Sequence, residues 1–178
     1  AQNALAGMYL AGLGVGADDA EAARWYGRAA EQGDAESQAR VGLMYARGRG
    51  VARDDEAAVK WFRLAAENGD SAAESYLGEM YLQGRGVEKN EAEAAKWLQM
   101  AALHGESQAQ NHLGVMYLGG RGVGQNHAEA ALWFRSAAEQ GNTLAQYHLG
   151  VSYAQGRGVN KDGEEALKWL TSAARQGL

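Results

Sequence analysis

Four arrangements in this chain put reactive side chains at spacings that known chemistry uses. His148 and Ser152 stand four residues apart, one helical turn, where an imidazole base meets a serine nucleophile. His112 and His148 occupy equivalent places 36 residues apart, and helices roughly 8–10 Å apart would let the two imidazoles share a metal with a third ligand. Gly12-Leu13-Gly14-Val15-Gly16 has the glycine density of a loop that cradles phosphates. Arg49, Arg85, Arg121 and Arg157 form a regular row of the kind that contacts a phosphate backbone.

Each arrangement has a plainer reading, and the plainer one is stronger. Ser152 stands where other units carry methionine, so a packing substitution accounts for it. No third His, Cys or carboxylate is forced beside the histidines, which are read as partner-facing imidazoles. A dinucleotide loop follows a strand, no strand pattern precedes Gly12, and Gly-x-Gly-Val recurs along the chain, so an inter-helix turn explains it. The arginines are expected to hold helix-end carbonyls or nearby carboxylates. The expectation is therefore a chain that is no enzyme and carries no cofactor or metal.

Composition narrows the partners. The 178 residues are 46% apolar and 22% charged, and no apolar run approaches the length needed to span a bilayer. A net charge of −5 gives no broad attraction for nucleic acid or anionic lipid. Without cysteine there is no disulfide framework and no thiol nucleophile. Twenty-five glycines beside no proline are not the mark of a flexible linker, so the glycines must hold fixed positions. The chain opens on Ala1 without initiator Met or signal peptide and reads as an excised segment of something longer, with no address to a compartment.

The elements that position these groups come from a strict repeat. Trp25, Trp61, Trp97, Trp133 and Trp169 fall 36 apart, and Tyr9, Tyr45, Tyr81, Tyr117 and Tyr153 keep the same step. Ser37, Val41, Met44 and Tyr45 lie on one stripe of a first helix near residues 35 to 46, with Gly42 beside it to let a partner helix approach. A second helix is announced by Asp18, Asp54, Asn90, Asn126 and Asp162 as N-caps, with Glu21, Glu93, Glu129 and Glu165 three residues on to complete a capping box; Ala57 departs. Inside it, Ala22, Trp25, Tyr26, Ala29 and Ala30 form the apolar face, and the Trp series is expected to fill the buried space beside the alanines. Gly33, Gly69, Gly105, Gly141 and Gly177 are expected to end it in the left-handed conformation. One such hairpin cannot bury its faces alone, so the fold expected is all-α, an αα-solenoid of five 36-residue helix-turn-helix repeats. They run about 1–33, truncated at its start, then 34–69, 70–105, 106–141 and 142–178, in a single domain.

The run Leu113-Gly114-Val115-Met116-Tyr117, then Gly120-Arg121-Gly122-Val123, Asn126, Ala130, Trp133-Phe134, Ala137-Ala138 and Gly141, resembles the Sel1-like repeat (SLR), a relative of the tetratricopeptide repeat. The resemblance covers the whole chain. It implies a right-handed superhelix with first helices lining the concave face, used in bacteria and eukaryotes as a protein–protein scaffold or adaptor, with no shared catalytic residues. Some secreted bacterial members carry a disulfide in every repeat, and this cysteine-free chain departs from them.

Framework positions repeat because every unit solves the same packing problem; positions that differ are free to carry specificity. On the first helix these are Glu36/Ala72/Gln108/Leu144, Ala39/Ser75/Asn111/Tyr147, Arg40/Tyr76/His112/His148 and Leu43/Glu79/Val115/Val151, spaced i, i+3, i+4, i+7 on one face. The partner-binding set expected is Tyr76, Glu79, Gln108, Asn111, His112, Val115, Leu144, Tyr147, His148 and Val151, whose amphipathic and apolar side chains suit a peptide groove. The plainer reading is tolerated surface residues, and the alternative function is architectural, with the chain docking through its ends or edges.

Overall fold

The computed structural model describes residues 1–178 as ten helices and no strand. The first helices of the repeats are α1 (Gln2–Ala11), α3 (Ala35–Arg47), α5 (Ser71–Gln83), α7 (Ser107–Gly119) and α9 (Thr143–Gln155). The second helices are α2 (Asp19–Glu31), α4 (Asp55–Glu67), α6 (Glu91–Leu103), α8 (His127–Glu139) and α10 (Gly163–Arg175). All five expected N-caps accept from backbone N–H groups in the first turn. First helices have caps of their own in Asp34, Asp70 and Asn142. The five glycines that follow the second helices all have positive φ, 86–94°.

The expected reciprocal capping box does not form. The N-cap N–H groups of Asp18, Asp54, Asn126 and Asp162 donate to the carbonyls of Tyr9, Tyr45, Tyr117 and Tyr153 at 2.9–3.1 Å. With that donor taken, the glutamate carboxylates turn outward, and Glu21, Glu93 and Glu165 pair with Arg24, Lys96 and Lys168.

Packing divides the chain into two compact units, Ala1–Lys89 with α1 to α5 and Asn90–Leu178 with α6 to α10. Within each unit every helix packs on its neighbours in sequence. The first unit's core joins Ala22, Tyr26 and Ala30 of α2 to Ala6 of α1 and to Val41 and Met44 of α3. In the second, Ala130, Phe134, Ala137 and Ala138 of α8 meet Ala145 and Leu149 of α9. Helices α2, α4 and α8 are thus each shared between their own first helix and that of the next repeat, which makes the core continuous within a unit.

The tryptophans do not fill that core. All five are half-buried, whereas the residue after each, Tyr26, Phe62, Leu98 or Phe134, is 0–4% exposed in the first four repeats. The reason lies on the facing helix: a Cβ at Gly42 would stand 2.7 Å from the Phe62 ring, and one at Gly114 2.6 Å from that of Phe134. The glycine makes room on the line of the following residue, and the Trp is left at the stripe's margin. There it meets polar groups: Arg28 lies over Trp25, and Trp169 donates its indole N–H to Glu165.

Candidate functional site

The variable face of the first helices rests on these buried rings. In the first unit, Tyr76 of α5 stacks on Phe62 of α4 with centroids 5.0 Å apart; in the second, His148 of α9 stacks on Phe134 of α8 at 4.8 Å. The residue one position before His148, Tyr147, meets its ring edge-on at 5.5 Å. A residue on the first helix is therefore planted on the ring that follows the tryptophan of the preceding repeat, so the face has a fixed aromatic floor. Burial lowers the His148 imidazole below its usual range, which holds it neutral near pH 7.

The expected partner-binding residues do not share one environment. Leu144 and Tyr147 are 50% and 43% exposed, and Gln108 is exposed as well. Tyr76, Glu79, His112, Val115, His148 and Val151 are half-buried. Asn111 lies beneath the face, 4% exposed, as do its counterparts Ala39 and Ser75. Helices α7 and α9 carry no Asp, Glu, Lys or Arg at all, so the second unit presents a face without fixed charge.

In the first unit the same face holds two clefts. One, of about 60 Å³, is lined by Leu10, Tyr26, Arg40, Leu43, Met44 and Arg47 among others. The second, of about 160 Å³, shares Leu43 and Arg47 and adds Phe62, Tyr76, Glu79 and Met80. Burial raises the Tyr26 hydroxyl's pKa, with Arg40 pulling against it, so the phenol stays protonated as a hydrogen-bonding group.

The other reactive-looking arrangements are taken up by structure. The Ser152 hydroxyl donates to the His148 carbonyl at 2.8 Å, within the helix, and not to an imidazole. No three ligating side chains gather anywhere in the chain. The Gly-x-Gly-Val loops join neighbouring repeats: a Cβ at Gly50 would stand 2.0 Å from the carbonyl oxygen of Asp19, so only glycine lets the loop sit there. Beside that contact Arg49 pairs with Asp19, Arg85 with Asp55 and Arg121 with Glu91. Arg85 also donates to the Ala46 carbonyl, and Arg85 and Arg53 together hold the Asp55 carboxyl down to about 2. The series stops at Arg157, which faces the position of His127 instead of an acid.

Two features escaped the sequence reading. Gln38, Gln110 and Gln146 are buried and donate to the carbonyls of Ala30, Ala102 and Ala138, while accepting from Asn68, Gln140 and Gln176. Each ties three helices, and the signal was the recurrence of Gln at one repeat position. On the second helices of the second unit, Leu103 and Leu132 are 69% and 57% exposed. Their counterparts are charged, Glu31, Glu67, Glu139 and Arg175 for the one and Arg24, Lys60, Lys96 and Lys168 for the other.

The Sel1 repeat model matches the chain five times, over residues 1–34, 35–70, 71–106, 107–142 and 143–178. No curated protein sequence matches it. Among solved structures, it is similar to a protective antigen present in uropathogenic Escherichia coli strains that displays an SLR fold, at 38% identity and TM-score 0.95 over 99% of this chain and 38% of that one. A Sel1 repeat protein from Oxalobacter formigenes is 38% identical with TM-score 0.92, covering 99% of this chain and 70% of the other. Cysteine-rich protein B of Helicobacter pylori shares the fold at 22% identity and TM-score 0.53, over 67% of this chain and 91% of that one. The chain thus spans well under half the length of the E. coli protein.

Proposed function

This chain belongs to the Sel1 repeat family, and on that premise we propose that it is a non-catalytic scaffold that binds a peptide or protein partner on the faces lined by its first helices. Sel1 repeats commonly mediate contacts between proteins. The contact residues in this reading are Tyr76 and Glu79 in the first unit and Gln108, Asn111, His112, Val115, Leu144, Tyr147, His148 and Val151 in the second, with Asn111 acting from below. The observation that carries it is the place of the clefts: those of the first unit open where the repeats differ from one another, at Arg40, Leu43, Tyr76 and Glu79. A face built only for packing would repeat its side chains there as it does at the tyrosines and glycines. No cofactor and no nucleic acid enters this reading.

The test is capture of a partner by wild-type protein and by a Tyr147→Ala, His112→Ala double variant. Loss of a half-exposed aromatic and an imidazole should weaken binding by about 2 kcal/mol or more while circular dichroism and melting stay near wild type. Unchanged affinity in a folded variant moves the partner elsewhere. One observation favours the architectural alternative: Leu103 and Leu132, on the second helices of the second unit, are 69% and 57% exposed where the other repeats carry charge. Self-association abolished by Leu103→Glu or Leu132→Lys, with no captured partner, would make that the function.

A further inference from the structure

The first-helix face of the unit Ala1–Lys89 differs from that of the other unit in carrying charge, and that charge is unevenly compensated. Arg49 and Arg85 also border its clefts, but each is held by a carboxylate, Asp19 at 2.9 Å and Asp55 at 2.6 Å. Arg47 is exposed, carries no ion pair or hydrogen bond, and lines both clefts. Arg40 has only Glu36, at 3.5 Å with the two side chains 47% and 59% exposed, a pair of the kind that water and salt largely dissolve. Of the two acids on this face, Glu36 pairs with Arg40, and Glu79 borders the larger cleft on α5 and has an interaction of its own. Arg47 is therefore an uncompensated positive charge on α3 and Arg40 a weakly compensated one, beside a cleft of mixed lining with Leu43, Phe62 and Tyr76 as its apolar part.

We infer that this face takes an extended acidic peptide, its carboxylates over Arg40 and Arg47 and an apolar side chain in the cleft beside Tyr76; this rests on the partner-binding reading above. The spacing fits. Seven residues of α-helix advance about 10.5 Å and return to nearly the same side, and three residues of a polyproline II chain, one full turn, advance about 9 Å and also return to the same side. Two acids three residues apart would thus meet both guanidiniums, each of which offers a planar fork to a carboxylate. The larger cleft, about 160 Å³ and floored by Leu43, Phe62 and Tyr76, is close to the ~150 Å³ that accepts a benzene ring. It suits a leucine or phenylalanine of the peptide, and Glu79 on its far side keeps the acidic end over α3. Against a chain of net charge −5, such a peptide is drawn to this strip and repelled elsewhere.

The test is selection of a phage-displayed library of random dodecapeptides on the immobilised chain. Wild type should enrich Asp or Glu pairs spaced by three residues with a large apolar residue nearby. A recovered peptide, labelled and followed by fluorescence anisotropy, should bind the Arg40→Ala, Arg47→Ala double variant roughly tenfold more weakly or worse, and should weaken steeply as salt is raised. Arg47→Glu should shift selection towards Lys and Arg. Both arginines are exposed, so the circular dichroism of the variants should match wild type. Enrichment of neutral peptides, no enrichment at all, or acidic peptides indifferent to the loss of both arginines would overturn the inference. If neutral peptides are selected and Tyr76→Ala abolishes them, the partner-binding reading stands and only the acidic preference falls. Peptides that survive Tyr76→Ala as well would remove both.

Discussion

Gly114→Ala should change sign with the residue it faces. The Cβ it adds would stand 2.6 Å from the Phe134 ring, well inside contact distance. Phe134 is 0% exposed and cannot swing into solvent. Overpacking of this kind costs about 1–3 kcal/mol, while exchanging a mid-helix glycine for alanine returns about 1 kcal/mol, so the net effect in wild type is a loss of about 0–2 kcal/mol. The first repeat bounds the estimate. Ala6 already stands at the equivalent place, buried with Tyr26, so a hairpin built around the methyl can house it and the cost lies towards the lower end. In a Phe134→Ala background the ring is gone. That variant alone should lose about 3–5 kcal/mol to the cavity, and Gly114→Ala should then stabilise by about 1 kcal/mol. Urea unfolding of the four proteins measures the cycle, with a coupling of about 1–3 kcal/mol expected. Equal effects of Gly114→Ala in both backgrounds, within about 0.5 kcal/mol, would show that the glycine does not make room for the ring.

Gly105→Ala should destabilise by about 1 kcal/mol through backbone strain alone, because φ is 93° and nothing lies within 4 Å of the added Cβ. D-alanine introduced there by ligation should not destabilise, and a loss equal to that of L-alanine would refute the account. Gln110→Met keeps the volume but removes two hydrogen bonds, while the Ala102 carbonyl keeps the Gly105 N–H and the Gln140 amide keeps the Ser136 carbonyl, so a loss of about 1 kcal/mol is expected in chemical denaturation. A neutral result would mean that water replaces the ladder. His148 is lowered by burial, so the unfolded chain takes up its proton first as pH falls below about 6.5, and stability present above that value drains away towards the folded-state pKa. Urea midpoints between pH 8 and pH 5 should fall more steeply for wild type than for His148→Phe; parallel curves would sink the assignment.

The sequence by itself determined everything that depends on neighbours along the chain. The 36-residue step, the N-caps at Asp18 and its equivalents, and the left-handed glycines after each second helix are local. A cap needs only the next three N–H groups, and a positive φ needs only the absence of a Cβ. The first-helix stripe of Ser37, Val41 and Met44 was legible for the same reason, since periodicity alone assigns a face.

What tertiary structure decided is which of two adjacent candidates a facing helix accepts. Trp61 and Phe62 are both apolar and both on the inner stripe, yet only the ring aligned with Gly42 is buried. Glu21 could have closed a capping box, but the Tyr9 carbonyl, brought in by the hairpin, took the donor it needed. Asn111 and Tyr147 share one repeat position and differ in fate, 4% and 43% exposed. A small amide fits in the space that neighbouring helices leave at that place; a phenol does not, and turns out to solvent. Periodicity assigns a side chain to a face, but the room beneath that face is set by atoms distant in sequence, and close packing admits or rejects a side chain on differences of a few ångströms.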